Sequence, residues 1–351
     1  MERQYTVCAA HVAPIYLEAA KTTAKACSLI AEAARAGARL IAFPESYIPG
    51  FPLWAAVQAP LLSHDLFKRL AANSLRVPGP EMLQLAATAR QHQIWVSMGF
   101  SEATTQSVGC LWNSNVLISA DGAIVNHHRK LVPTFFEKLI WANGDGAGLR
   151  VCDTPLGRLG ALICGENTNP LARYALMAQG EQLHISSYPP TWPTRPPAAA
   201  GRYDLANAIK VRAGAHAFEA KAFNVVAAGA LDRGTLTALE SLGSEAIDIL
   251  EQTPRGTSLV LNPAAEVSSE VMAGDEGLLY CPIDLDACIE PKQFHDVVGY
   301  YNRFDVFHLS LDTRPLRPLE IRGDEWRSYS FESLEQTAQH PTAEGAPPRG
   351  P

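Results

Sequence analysis

Residues 157–186 read GRLGALICGENTNPLARYALMAQGEQLHIS. Leu159–Cys164 is a short apolar run with the length and composition of a buried strand. It leads straight into a helical pattern near Asn169–Gly180, and a second apolar strand follows at Gln182–Ser187. Just upstream, Thr154–Gly157 reads as a hairpin turn feeding the first of these strands. A strand, a helix and a strand in direct succession mark a layered α/β sheet.

The same alternation extends in both directions. Tyr5–Ala10 reads as a strand and is followed by a helix from about Leu17, where Ala20, Ala24, Cys27, Ala31 and Ala34 recur at helical spacing. Gly37 stops that helix, and Ala38–Phe43 is the next strand, ended by Pro44 and Glu45. Pro80–His92 is a helix with proline near its start. Ile94–Phe100 and Leu111–Ser119 are strands, and Asp121-Gly122 turns the chain into Ala123–Lys130. Downstream come a helix at Leu205–Lys221 and strands at Asn224–Ala230, Thr257–Leu261 and Gly277–Ile283. Strands thus occur singly between helices and as hairpins, the pattern of an α/β domain with mixed sheets. Tyr188–Pro197 (YPPTWPTRPP) reads as a rigid surface loop. Periodicity fades past Asp312, which divides the chain into a domain over 1–312 and an extension over 313–351, with Gln336–Pro351 expected to be a disordered tail.

The chain has 351 residues, of which 47% are hydrophobic and 19% charged, enough to bury a substantial core. A net charge of −7 with no block of Lys or Arg argues against nucleic-acid and anionic-membrane partners. No apolar run approaches the ~20 residues of a spanning helix, and MERQYTVCAAHVAP does not read as a signal peptide. Cysteines stand at 8, 27, 110, 152, 164, 281 and 288, with no CxxC pair. This argues against zinc knuckles and thioredoxin-like chemistry and favours free thiols in a reducing cytoplasm. No His/Asp/Glu cluster has metal-ligand spacing, and Gly144–Gly148 (GDGAG) lacks the Lys and Ser/Thr of a phosphate loop. No cofactor is expected.

Three strand ends carry chemistry. Cys164 sits between an apolar strand and a helix, with Gly165 letting backbone N–H groups approach a ligand. A helix N-terminus there favours thiolate; alone, the residue reads equally as an inert core cysteine. Glu45 lies in a proline-stiffened apolar loop that suits a general base, but would also read as a carboxylate facing water. Lys130 closes a strand before Phe135, Phe136 and Trp141, where an ammonium could stabilise negative charge; alone it reads as a surface lysine. Glu137 alone reads as a surface helix charge.

Taken together, FPESYIPGFPLW (43–54), HHRKLVPTFFEKLIWANGDG (127–146) and the 157–186 stretch resemble, in order, the three signature regions of the nitrilase branch of the carbon–nitrogen hydrolase superfamily. GYYNRFDVFHL (299–309) resembles a further segment of nitrilases, so the likeness runs from about Tyr5 to Asp312. The resemblance implies a four-layer α-β-β-α sandwich. It also implies Glu45 as general base, Lys130 as stabiliser of the charged intermediate, Cys164 as nucleophile and Glu137 as a positioning glutamate. His127 and His128 fall outside this set and read as packing groups or as groups that support the site from behind. Gly165 departs from the family, many of whose members carry Trp after the cysteine, and is expected to open space beside the thiol.

The implied substrate is a small-molecule nitrile, hydrolysed to the acid and ammonia. Tyr47, Trp54, Phe136, Gly165, Tyr188 and Trp192 are expected to line its pocket and to favour bulky nitriles such as arylacetonitriles. The resemblance also implies a homo-oligomer, dimer-based or a larger spiral assembly, through the helix around Arg173–Gln179. Three rivals remain at this point: an amidase or carbamoyl hydrolase of the same superfamily, a non-catalytic protein on the same fold, and a Cys-His hydrolase using His127 or His128.

Overall fold

Alternation of side chains along short strands builds the centre of the molecule. In β1 (Gln4–His11), Tyr5, Val7 and Ala9 join one buried cluster while Cys8 and Ala10 join another, as the two-residue period of a strand dictates. The computed structural model describes residues 2–317, 319, 330–332, 334 and 335. Met1–Pro315 form one compact unit and Leu316–Pro351 a second. The tail expected over Gln336–Pro351 lies outside the described residues.

The first unit holds two sheets. After β1 come β2 (Ala38–Ala42), β3 (Trp95–Ala103), β4 (Leu111–Ile118) and β5 (Ile124–Arg129). The second sheet is built from β6 (Cys152–Thr154), β7 (Gly157–Ile163), β8 (Leu183–Tyr188), β9 (Phe223–Ala228) and β10 (Leu259–Leu261). The chain then returns through β11 (Gly277–Asp284) to the first sheet, giving orders β11-β1-β2-β3-β4-β5 and β10-β9-β8-β7-β6. β1, β2 and β3 are parallel, as are β7, β8 and β9, and the outer pairs are antiparallel.

Helices cover the outer faces. They are α1 (Ala19–Arg35), α2 (Trp54–Val57), α3 (His64–Asn73), α4 (Pro80–His92), α5 (Pro170–Met177), α6 (Leu205–Ala220), α7 (Arg233–Ala238), α8 (Ser244–Gln252) and α9 (Ile289–Phe294). Val7, Leu40 and Leu117 of the first sheet pack with Leu159, Ile185 and Val225 of the second, so the sheets lie face to face. On the far side of the first sheet, Ile41, Val96 and Val116 pack on Ala26 and Ile30 of α1 and Leu85 of α4. On the far side of the second, Val226 and Leu259 pack on Ile209 and Ala213 of α6. The architecture is an α-β-β-α sandwich.

Two local readings need correction. The stripe Ala20-Ala24-Cys27-Ala31-Ala34 is not the buried face of α1. Ala19, Thr22, Thr23, Ala26, Ile30 and Ala33 are, while Ala20 and Ala24 are exposed. An alanine-rich helix offers several stripes of small residues. Here Ile30 and the Thr22 hydroxyl, which donates to the Ile15 carbonyl at 2.9 Å, mark the inward one. Nor is Tyr188–Pro197 wholly a surface loop: Tyr188 ends β8, and Pro189–Pro193 are buried.

Candidate active site

The loops after β2, β5 and β7 converge. Glu45 follows β2 by way of Phe43 and Pro44, and its N–H donates across to the Tyr188 carbonyl of the second sheet at 3.3 Å. Lys130 directly follows β5, with its N–H tied to the Asn113 carbonyl of β4 at 2.8 Å. Cys164 follows β7 and opens a short 3-10 turn, Cys164–Thr168, ahead of α5. Site residues outside the C-terminal ends of strands are the usual arrangement of α/β sheets. Ser46, Phe135 and Cys164 all adopt left-handed backbone angles, with φ of 46°, 51° and 49°. Each costs of order 1–2 kcal/mol, and each bends the chain beside an ionisable site residue.

The four side chains form one buried constellation. The Lys130 ammonium donates to Glu45 Oε1 at 2.7 Å and to Glu137 Oε1 and Oε2 at 2.9 and 2.6 Å. Asn113 Nδ2 also donates to Glu45 Oε1, at 2.8 Å. Glu45 Oε2 is buried with no hydrogen-bond partner. A carboxylate oxygen of Glu45, one of Glu137 and the Cys164 Sγ all lie within 4.8 Å of one another. Glu137 is further fixed by the Thr134 N–H, 2.9 Å from Oε2. It is therefore no surface charge.

Burial dominates the proton affinities. It pushes the Cys164 thiol well up, the Glu45 charge adds to this, and Lys130 only partly offsets it. Burial thus works against the thiolate that a helix N-terminus would favour. Burial works against the Lys130 ammonium, but the Glu137 and Glu45 carboxylates overcome it and hold its pKa above the ordinary lysine value. Burial raises Glu137 against the pull of Lys130, with Glu45 raising it further.

Of the expected pocket residues, Trp54, Phe136, Tyr188 and Trp192 belong to the same apolar cluster as Cys164. Phe136 stacks on Trp192 at 4.4 Å between ring centres. Tyr47 does not join them; it packs on Phe43 within the cluster that backs the first sheet. It lines a cavity together with Glu45, Phe51 and Leu53. Gly165 does not open space beside the thiol either. A Cβ there would meet Thr134 Oγ1 at 2.7 Å, so the glycine makes room for Thr134.

Comparison with known proteins places this geometry. Residues 6–293 match the family described as carbon-nitrogen hydrolase. An arylacetonitrilase of Hypocrea virens is 33% identical over 91% of this chain and 94% of its own length. An aliphatic nitrilase of Rhodococcus rhodochrous is 35% identical over 90% of this chain and 84% of its own. The chain belongs to the carbon–nitrogen hydrolase family, in its nitrilase branch. The fold agrees: the NitFhit protein of C. elegans superposes with a TM-score of 0.65 at 18% identity, over 90% of this chain and 69% of that one.

For a carbon–nitrogen hydrolase the constellation offers a thiol, a carboxylate with one uncommitted oxygen and a buried ammonium within reach of each other. His127 and His128 stand apart. His127 Nε2 lies 2.8 Å from Glu102 Oε2, and His128 Nε2 lies 2.9 Å from Glu166 Oε2. Sequence reasoning missed three groups. Asn113, the first of three successive buried polar residues in β4, was legible as an oddity in LWNSNVLIS. Glu166 accepts the N–H of Leu131 at 2.5 Å and of Ile163 at 2.8 Å, pinning the Lys130 loop to the Cys164 turn. Glu181, His184 and His216 form a close cluster that no local spacing announces. Both oxygens of the Glu181 carboxylate are met by the two rings, and in the other trio, Glu45, Glu137 and Cys164, the Lys130 ammonium takes the place of a cation. Gly144 and Gly148, the near-match to a phosphate loop, are explained by packing. A Cβ at either would overlap the backbone of Arg129 or His128, so the glycines let this loop lie on β5.

Proposed function

We propose that the protein hydrolyses an organic nitrile to the carboxylic acid and ammonia, with Cys164 as nucleophile, Glu45 as general base, Lys130 as electrostatic stabiliser and Glu137 as the residue that positions Lys130. The observation that carries this reading is a buried Glu45 carboxylate within 4.8 Å of the Cys164 thiol, with one oxygen held by Lys130, the other without a partner, and a thiol whose ionisation burial opposes. Glu45 takes the thiol proton as sulfur attacks the nitrile carbon, then passes that proton to nitrogen, leaving a thioimidate. Lys130 and the Gly165 N–H stabilise the charge on the attacked group. Water, deprotonated by Glu45, adds to the thioimidate. Collapse expels ammonia, and a second water releases the acid from the thioester; expulsion of the thiol instead gives the amide.

The names of the relatives cover arylaceto- and aliphatic nitriles, and the aromatic lining favours the bulkier class. The test is ammonia release from phenylacetonitrile, a short aliphatic nitrile and their matching amides. Turnover of the nitriles supports the reading, while turnover of the amides alone would make the protein an amidase. We also assign residues 1–312 to the catalytic domain and 313–351 to an extension. Exposed Leu171 on α5 and Val211 and Phe218 on α6 support association of copies through these helices, in a dimer-based or spiral assembly. No helix among the described residues is long and apolar enough to cross a membrane. Seven free cysteines support a reducing, cytoplasmic setting.

A further inference from the structure

Behind the Cys164 turn runs a buried polar chain that the reaction above leaves unused. Glu181, His184 and His216 are completely enclosed. Glu181 Oε1 lies 2.7 Å from Nδ1 of His184, and its Oε2 lies 2.6 Å from Nε2 of His216. The two rings stack at 3.7 Å. Nε2 of His184 then reaches Oδ1 of Asn167 at 3.0 Å. On its other side Asn167 Nδ2 donates to the carbonyls of Cys164 at 3.1 Å and Leu162 at 3.3 Å.

Those two carbonyls fix the orientation of the amide, so Oδ1 must be the atom that faces His184. Both ring nitrogens of His184 therefore point at acceptors, and both must carry hydrogen. That is the hydrogen-bond pattern of a doubly protonated ring opposite the Glu181 carboxylate. His216 donates from Nε2 and has no partner at Nδ1, so it is neutral. Burial, with the neighbouring His184, holds its pKa down at about 4. Residue 160 of β7 is part of the same design: a Cβ there would overlap Glu181 Oε1. The other charged groups packed around the chain are Arg173, which donates to the Asn167 carbonyl at 2.9 Å and pairs with Glu219, and Arg212 of α6, bonded to Thr168.

Resting on the assignment of Cys164 as nucleophile, we infer that Glu181, His184 and Asn167 form a positioning relay. Its buried imidazolium, acting through the Asn167 amide, pulls on the Cys164 carbonyl. That bond holds the left-handed turn. It also polarises the Cys164–Gly165 peptide, because accepting at the carbonyl strengthens donation at the N–H of the same unit. The Gly165 N–H thereby becomes a better donor to the charge that develops on the attacked nitrile.

The test combines kinetics and a direct view of the ring. In the full-length protein with 15N-labelled histidine, one imidazole should show both nitrogens protonated at about pH 8, where a free histidine is neutral. His184→Gln should remove that signal. Glu181→Gln, which keeps shape and removes charge, should lower kcat at about pH 8 by about tenfold or more, the scale of a weakened oxyanion donor, with KM nearly unchanged. A neutral His184 in the parent overturns the relay. So does a folded Glu181→Gln protein with parental kcat, or a stoichiometric divalent metal, removable by chelator, at Glu181, His184 and His216. If Glu181→Gln does not fold, the nitrogen spectrum of the parent decides. The spectrum is also independent of whether Cys164 is the nucleophile, which Cys164→Ala tests separately.

Discussion

The Lys130 ammonium has three hydrogens, and three carboxylate oxygens surround it. Removing it leaves two buried carboxylates facing each other without a cation, a defect of roughly 3–5 kcal/mol. Lys130→Ala is therefore expected to lose both rate and stability, measured together by kcat and urea unfolding. Glu45→Gln separates the two effects. The Lys130 and Asn113 donors both require an acceptor at Oε1, so the new amide nitrogen is forced to the Oε2 position, where it cannot act as a base. We expect at least a hundredfold fall in kcat with little change in unfolding midpoint, and retention of parental kcat would remove Glu45 from the mechanism. Cys164→Ala should abolish turnover, whereas Cys8→Ala and Cys281→Ala, which alter packed strands, should leave kcat intact in folded protein. Gly165→Ala should lower kcat/KM for phenylacetonitrile and a short aliphatic nitrile alike, because the methyl strikes Thr134 rather than the pocket. Pairing it with Thr134→Ala should restore activity, and a selective loss for the bulky substrate alone would contradict this geometry.

At the scale of elements, α6 joins two buried regions, since it runs from Leu205 near the Tyr188–Pro193 segment to His216 beside Glu181. Its start is fixed by Asp204, whose exposed carboxylate accepts the Asn207 N–H at 2.9 Å. Asp204→Ala should cost about 1 kcal/mol in urea unfolding, and Asp204→Asn should recover most of it. An unchanged midpoint for the alanine variant would show that packing alone sets the helix start. Elements of this kind were legible where a local signal exists. Pro80 opened α4 and Gly37 closed α1 where expected, and Asp121-Gly122 turned β4 into β5. Glu45, Lys130 and Cys164 were legible as strand-end residues, but each alone also had a structural reading, and it was the family resemblance of the three surrounding stretches that joined them and added Glu137. The face of α1 and the helices α3, α7 and α8 were not legible, since several stripes of small residues satisfy more than one packing. Glu166, Asn167 and the Glu181–His184–His216 cluster depend on contacts between distant segments, which no spacing encodes.

For the whole molecule, the buried carboxylates set the acid limit of stability. Burial works against the Glu102 charge, but hydrogen bonds from His127, Arg129 and Ser114 outweigh it and hold its pKa down at about 2. Burial likewise opposes Glu181, and the two histidines bring it to about 2. A group whose folded pKa is depressed stabilises the fold above its unfolded pKa and loses that contribution as pH falls through the folded value. The window here runs from about pH 4.5, the ordinary glutamate value, down to about 2. A drop of that size corresponds to roughly 3 kcal/mol per carboxylate as an upper figure, since one pKa unit is about 1.4 kcal/mol. Both sites hold their partners in opposite sheets, Glu102 in β3 and Glu181 ahead of β8, so their protonation loosens both halves of the sandwich at once. The unfolding midpoint should therefore begin to fall below about pH 6.5, where the unfolded chain protonates the histidine that the fold keeps neutral at His216, and fall more steeply below 4.5. In Glu102→Gln the parental midpoint near neutrality should be lower, and the acid slope shallower by about one proton, because the variant no longer has that proton to take up. An acid slope identical to the parent's would show that Glu102 keeps its proton affinity on folding and that the limit lies elsewhere.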